Sequence, residues 1–169
     1  FPHLLGITTS THNSKHRQNY QFTSQLSFVT YNVLSLGQPT NHFHTTGKAT
    51  VLAQQFHNLA PNTIIGLQET RSRSTTHRTT HLYHIISTGS TSKSHGCELW
   101  IPTTMTDQDL NFQVLPHHIE VLHTSPRILR TRLRTNFIDI CIIVAHAPHT
   151  SHPHHDKQQW WKLLSEISS

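Results

Sequence analysis

Alternation of apolar and polar residues marks out the strands of this chain. In LSFVTYNVLSL (26–36) the side chains alternate between two sides with the two-residue period of a β-strand. The same criterion, together with short apolar runs, predicts further strands at 62–70, 82–88, 97–101, 118–123, 127–134 and 136–149. The last is the most apolar, so we expect it at a central position in its sheet.

The first predicted helix lies in GKATVLAQQFHNLA (47–60). Its apolar side chains recur at the three-to-four-residue spacing of one helix face; they are Ala49, Leu52, Ala53, Phe56 and Leu59. Thr45 or Thr46 is expected to cap its start, and Pro61 is expected to stop it.

A second helix is predicted at the end of the sequence. Asp156 is expected to cap it, with Gln159 at the capping-box position. Its apolar face is predicted to contain Trp160, Leu163, Leu164 and Ile167.

The remaining segments are predicted to lack regular structure. Residues 1–25 form a polar, poorly ordered lead-in, and 71–81 and 102–113 are polar loops. The resulting order, β-α-β-β-β-β-β-β-α, predicts an α/β fold, half of a mixed-sheet sandwich with antiparallel hairpins in the middle. Because no strand follows the closing helix, a sheet edge is expected to lie open.

In 127–134, RILRTRLR, apolar and basic residues alternate. This predicts one packed face and one charged face, the latter formed by Arg130, Arg132 and Arg134. These three arginines form either a solvated sheet face or part of a polyanion-binding surface, and the sequence leaves both interpretations open.

The charge balance favours acidic partners. Lys and Arg outnumber Asp and Glu by 13 to 8, which gives a formal charge of +5, and 18 His add to the polar surface. A basic balance of this kind favours polyanions such as nucleic acid, although many ordinary domains share it.

Cysteine usage and hydropathy indicate an intracellular protein, nuclear or cytoplasmic. Cys97 and Cys141 fall in apolar stretches and are expected to be buried free thiols, as in a reducing compartment. No apolar run approaches the ~20 residues of a membrane-spanning helix, and the start has no signal-peptide pattern. The chain also starts without Met, so we expect it to be a piece of something longer.

Polar side chains stand at the ends of three predicted strands. Asn32 ends the first, Glu69 follows the apolar run IIGLQ, and His146 and His149 lie in AHAPH. A carboxylate at the end of an apolar run loses hydration, so it is expected to have a compensating partner such as a cation.

These motifs, in this order, resemble the endonuclease/exonuclease/phosphatase superfamily of metal-dependent phosphodiesterases. The resemblance runs from about 26 to 169 and rests on TYN, a helix that starts near a Lys, GLQET, GCELWI, and AHAPH followed by a Trp-containing helix. It is most like the endonuclease domains of non-LTR retrotransposons. It implies the N-terminal half of a four-layer α/β sandwich with a mixed, largely antiparallel sheet.

The resemblance also implies roles for individual residues. Glu69 and Asn32 are the implied ligands of Mg²⁺ or Mn²⁺, and Asn32 is alternatively expected to hydrogen-bond the carboxylate or the scissile phosphate. With His146, which contacts phosphate and assists the leaving group, they form the implied catalytic set. Arg71 and His149 are the implied substrate-binding residues, and DNA is the implied substrate, with no role for a membrane.

Two motifs of the family are absent from this sequence. Relatives carry Gly-Asp-x-Asn and a terminal Asp-His pair, and neither string occurs here. We therefore expect 26–169 to be a partial domain, with little or no activity alone, whose partner is the remainder of the same domain or a longer polyprotein.

Two alternatives from other classes remain open. One is a decayed remnant with no enzymatic role. The other is a His-rich module that binds metal or polyanions, for which the 152–155 cluster, HPHH, is the obvious segment.

Overall fold

The computed structural model describes residues 23–36, 47–59, 62–90, 94–108 and 110–169. Within them lie ten strands, two α-helices and a short 3₁₀ turn at Pro116–His118. In chain order the strands and helices are β1 (Ser27–Asn32), α1 (Lys48–His57), β2 (Thr63–Gln68), β3 (Thr76–Thr79), β4 (Tyr83–Ser87), β5 (Cys97–Pro102), β6 (Thr104–Asp107), β7 (Leu110–Gln113), β8 (Ile119–Ser125), β9 (Ile128–Arg134), β10 (Asp139–Ala145) and α2 (His154–Ser168).

The strands form a mixed sheet and two antiparallel sheets. The largest has the order β1-β2-β5-β4-β3, in which β1 and β2 are parallel and the other pairs antiparallel. A three-stranded sheet has the order β10-β9-β8, and β6 pairs with β7. The parallel pair is joined through α1, as a crossover connection requires. The predicted α/β class with a mixed, largely antiparallel sheet is confirmed.

Both faces of the five-stranded sheet are covered by apolar side chains. One face packs against the three-stranded sheet and the β6–β7 hairpin, and the cluster there includes Ile64, Leu99, Met105, Leu129, Leu133 and Val144. The other face packs against α1, in a cluster that includes Phe56, Ile65, Leu67, Tyr83, Ile85 and Trp100. Strands buried on both faces read as continuous apolar runs, which explains IIGL and CELWI.

Gly66 sets how closely the two sheets approach. A Cβ atom at this position would lie 3.1 Å from Cγ2 of Val144 on β10, a contact tighter than most Cβ atoms make. The absence of a side chain on β2 at this point therefore allows close packing of β10 against it.

Three predictions about strands were wrong. The segment 71–81 contains β3, whose residues are all exposed, so backbone pairing with β4 forms it without any apolar alternation. The segment 102–113 contains the β6–β7 hairpin. Its inward-facing Met105 has polar neighbours in the sequence, so no apolar pattern indicates the strand. The strand predicted to be central, β10, lies at the edge of its sheet, because its apolar side chains pack against the other sheet.

Cys97 is buried as predicted, whereas Cys141 is exposed. The second thiol lies on the outer face of β10, where Arg130 Nε donates to its Sγ at 3.2 Å. Apolar composition predicted the strand correctly, but it did not show which of the strand's two faces is covered. The predicted packed and charged faces of β9 are confirmed, since Leu129 and Leu133 are buried and Arg134 is exposed.

The helix termini differ from the predictions. Gly47 is the N-cap of α1, which ends at His57, while Thr45, Thr46 and Pro61 lie outside the described residues. Pro153 precedes α2, so Asp156 lies within the first turn instead of capping it.

The predicted apolar face of α2 is partly confirmed. Trp160 is buried, and Leu164 and Ile167 are partly covered. Leu163, however, is exposed, because it lies one position off the covered stripe. Neither described helix is long and apolar enough to cross a membrane.

The end of the predicted lead-in is bound to the β6–β7 hairpin. Residues 1–22 lie outside the described part of the chain. Beyond them, the backbone N–H groups of Thr23 and Ser24 and the Thr23 hydroxyl donate to the Asp107 carboxylate at 2.7–3.1 Å. These bonds hold the pKa of Asp107 below its ordinary value despite the opposing effect of burial.

Gly96→Ala is expected to destabilise the fold. Gly96 has a φ of +94°, and a Cβ there would lie 2.8 Å from Thr70 Oγ1. Backbone strain of this kind costs about 1–3 kcal/mol, which urea unfolding would measure.

The double variant Thr70→Ala/Gly96→Ala separates the two causes. Removing the hydroxyl relieves the contact with Thr70 but leaves the backbone strain and the 3.0 Å approach to the Arg71 nitrogen, so a double-mutant cycle should show partial recovery. An unchanged unfolding midpoint for Gly96→Ala would contradict the strain argument.

Candidate functional site

Asn32, Glu69 and His146 converge at one edge of the two sheets. Because β1 and β2 are parallel and in register, Asn32 lies opposite Gln68 and directly beside Glu69. Asn32 Nδ2 donates to Glu69 Oε1 at 2.9 Å, and His146 Nε2 lies 3.5 Å from the same oxygen. The three residues of the predicted catalytic set are therefore neighbours, and the predicted hydrogen bond from Asn32 to the carboxylate is present.

The backbone around Glu69 is held in a sparsely populated conformation. Glu69 and Arg71 each have a φ of +56°, in the left-handed region, as do Leu34 and Ser35 after β1 and His95 before β5. Each such residue costs on the order of 1–3 kcal/mol and persists only where its surroundings fix it.

Hydrogen bonds between adjacent loops supply that fixation. The N–H of Leu36 donates to the carbonyl of Thr70, the N–H of Thr70 to that of Gly96, and the N–H of Arg71 to that of His95, at 2.9–3.1 Å. Lys48, at the start of α1, donates through Nζ to the carbonyls of Val33 and Ser35. The Glu69 side chain is thereby presented from a rigid turn.

Arg127 joins the segments on the His146 side of the site. Its Nη1 donates to the carbonyls of His146 and Ala147 at 3.4 and 3.2 Å. Its Nη2 lies 3.2 Å from His95 Nε2 and 3.4 Å from His152 Nε2. The N–H of His146 also donates to the carbonyl of Arg127 at 2.8 Å, so this turn between β8 and β9 fixes the position of His146.

The electrostatic environment favours neutral imidazoles. Burial lowers the pKa of His146, the positive charge of Arg127 lowers it further, and Glu69 opposes both effects. The pKa of His95 is lowered first by burial and then by Arg127. Since the unfolded chain binds these protons more readily, stability from this cluster is lost as the pH falls from about 6.5 towards the folded pKa values.

The neutral form of His146 is oriented by its neighbour. Nε2 faces the carboxylate of Glu69, which favours the tautomer with the proton on Nε2. Its Nδ1 is buried and has no hydrogen-bond partner among the described residues. In this arrangement, His146 is a hydrogen-bond donor at the edge of the site.

One oxygen of the Glu69 carboxylate remains without a hydrogen bond among the described residues. Glu69 Oε1 accepts from Asn32, while Oε2 makes no hydrogen bond among the described residues, and Mg²⁺ commonly uses one or two carboxylate oxygens plus water. Asn32 Oδ1 accepts from the N–H of Leu34 at 3.1 Å, which fixes the orientation of the amide. Through Nδ2 the amide then positions the Glu69 carboxylate. In the described ranges no group of three or more His, Cys, Asp or Glu residues is arranged to hold a metal.

Arg71 and His149 do not contact this cluster. Arg71 is exposed and lines a neighbouring cavity. His149 is also exposed, and its Nδ1 pairs with Ser151 Oγ at 3.0 Å. No hydrogen bond or ion pair joins either side chain to Glu69 or His146 in the part of the chain that the structure describes.

Sequence reasoning missed Arg127 and His95. Both lie outside the motifs that carried the resemblance, and each comes close to His146 only through the packing of the two sheets. Arg127 follows Pro126 at the turn before β9, but position alone does not distinguish it from the other arginines of that segment.

No protein-family model matches this chain, and a search of curated proteins finds no match.

Replacing Arg127 by Gln is expected to raise the pKa of both His146 and His95, because a nearby positive charge is removed. The measurement is an NMR pH titration of the imidazole C–H signals. Arg130→Gln is the matched control, since Arg130 lies on the outer face of β9 beside Cys141. Equal shifts in the two variants would mean that only net charge matters.

Proposed function

We propose that this chain forms one wall of the active site of a metal-dependent phosphodiester hydrolase, an endonuclease whose substrate is DNA. The observation that carries the proposal is the convergence of Asn32, Glu69 and His146 at the ends of β1, β2 and β10. Phosphodiester cleavage needs charge neutralisation at the phosphate oxygens, an activated water and assistance to the leaving group.

Each residue contributes a distinct part of this chemistry. Glu69 would supply the carboxylate that holds Mg²⁺ or Mn²⁺, and that cation would neutralise charge on the phosphate. Asn32 orients that carboxylate through Nδ2. His146, whose Nε2 lies beside Glu69 Oε1, would contact a phosphate oxygen bound next to that carboxylate.

The catalytic set is incomplete within this sequence. The acids that follow Asp139 are Asp156 and Glu166, both on the exposed surface of α2. Asp156 lies 3.5 Å from His155, and Glu166 lies 4.0 Å from Lys162, so each has a local partner away from Glu69. Among the described residues, Glu69 is the one acid of this cluster and no second acid is placed to orient the water, so the isolated chain is expected to have little or no activity.

The remainder of the same domain, or of a longer polyprotein, would supply the opposite wall. In that larger assembly the two packed sheets correspond to the inner layers of a four-layer α/β sandwich. The open edge of β10 supports this arrangement, because in the described chain β10 pairs only with β9.

The proposed metal anchor can be tested with Mn²⁺. Substoichiometric Mn²⁺ should broaden the NMR signals of residues around Glu69 selectively, and Glu69→Gln should abolish that broadening. Glu120→Gln, which removes an exposed carboxylate on β8, is the control and should leave it intact. Broadening that persists in Glu69→Gln would refute the assignment of the anchor.

The incompleteness of the site is tested separately. Incubated with supercoiled plasmid and Mg²⁺, the purified chain is expected to leave the DNA uncut to within the background of the Glu69→Gln variant. Nicking that depends on Glu69 would show that the chain contains a complete active site.

A further inference from the structure

A second concavity lies beside the Glu69 site and takes no part in the chemistry above. It has a volume of about 760 Å³ and lies between α1, the loop that follows Glu69, and the β3–β4 hairpin. Binding sites for small molecules commonly have volumes of about 300–1,000 Å³, so this cavity is large enough for a ligand of the size of a nucleotide.

One part of its wall is aliphatic. Ala49 and Ala53 of α1 line the cavity, as do Leu36, Leu82 and Ile85. The two alanines leave space above the helix surface that larger side chains would fill. The flat face of an aromatic ring, such as that of a nucleobase, gains favourable burial against a wall of this kind.

The rest of the wall is strongly basic. Arg71, Arg73 and Arg78 line the cavity, and all three are exposed. Arg78 Nη2 lies 3.9 Å from Glu98 Oε2. Neither Arg71 nor Arg73 makes an ion pair within the described residues, so two guanidinium groups are available for an anion.

Glu98 is the acidic residue among the described residues that line the cavity, and its carboxylate already accepts hydrogen bonds from the protein. Glu98 is 1% exposed and accepts hydrogen bonds from Ser72 at 2.5 Å, from Ser87 at 3.0 Å and from Trp100 at 2.7 Å. It therefore holds the loop and the sheet together, and the net charge at the opening remains positive. A cationic ligand is disfavoured, and a phosphate is favoured because arginine binds phosphate in a bidentate manner.

Thr70 also borders the cavity, but its hydroxyl is buried on the side of Gly96 and is not presented to a ligand.

We propose that this cavity binds a nucleotide, with the phosphate on the arginines and the base against the aliphatic wall. The nucleotide is either a free mononucleotide or one unit of a single strand that continues into the Glu69 site. Only the second source rests on the proposed function. The cavity itself does not depend on Glu69.

The experiment measures binding of deoxyadenosine monophosphate, inorganic phosphate and a ten-nucleotide single strand to the full chain by NMR titration. The test variant is Arg71→Gln/Arg73→Gln, which removes the two guanidinium groups that make no ion pair among the described residues. The control, Arg130→Gln/Arg134→Gln, removes the same charge from the outer face of β9. We expect the mononucleotide to bind more tightly than phosphate, with at least tenfold weakening in the test variant and less than threefold in the control.

Two further measurements test the aliphatic wall separately from the arginines and distinguish a free mononucleotide from a unit of a single strand. Ala53→Leu narrows the aliphatic wall and should weaken nucleotide binding while phosphate binding persists. Binding of the strand without binding of the mononucleotide would identify the strand as the source.

Equal weakening in the two double variants, or equal affinity for phosphate and mononucleotide, would overturn the proposal. Glu69→Gln should leave mononucleotide binding unchanged, so a failed metal test and a failed cavity test are distinguishable.

Discussion

The short network of backbone hydrogen bonds among the loops at the strand ends is the constraint on which the rest of this structure depends. Leu36, Thr70, Gly96 and their neighbours donate and accept across three loops that are distant in sequence. Without this network, left-handed residues such as Glu69 would relax, because their conformation has no intrinsic preference to maintain it. The five-stranded sheet brings the loops together, and the network converts that proximity into a fixed direction for one carboxylate.

The loop after β2 serves two chemically different surfaces. Glu69 faces Asn32 and His146, whereas Arg71 and Arg73 line the neighbouring cavity. A single rigid segment therefore presents a carboxylate on one side and two guanidinium groups on the other. Glu98, buried beneath it, accepts a hydrogen bond from Ser72 and so attaches the middle of the loop to β5. Any ligand that contacted both surfaces would meet opposite charges within a few residues, which would favour one orientation of that ligand.

Most of the fold that determines the site was predictable from the sequence. Strands β1, β2 and β10 have apolar patterns that identify them, and the polar residues at their ends are the ones that converge: Asn32, Glu69 and His146. The elements that were missed, β3 and the β6–β7 hairpin, are held by backbone pairing and have little apolar signal. Arg127 was not predictable, because its role arises from the turn between β8 and β9 reaching His95 and His146, a contact that no local pattern encodes.

The close packing of Val144 against Gly66 sets the spacing of the two sheets next to the Glu69 and His146 side chains. Gly66 on β2 lies three residues before Glu69, and Val144 on β10 lies two residues before His146. The spacing of the two sheets at this contact therefore affects the separation of the Glu69 and His146 side chains. A methyl group on residue 66 would push β10 away from β2 and would thereby change the distance between the Glu69 carboxylate and the His146 imidazole. The separation of the Glu69 and His146 side chains thus depends on the absence of a side chain at a core position that neither residue occupies.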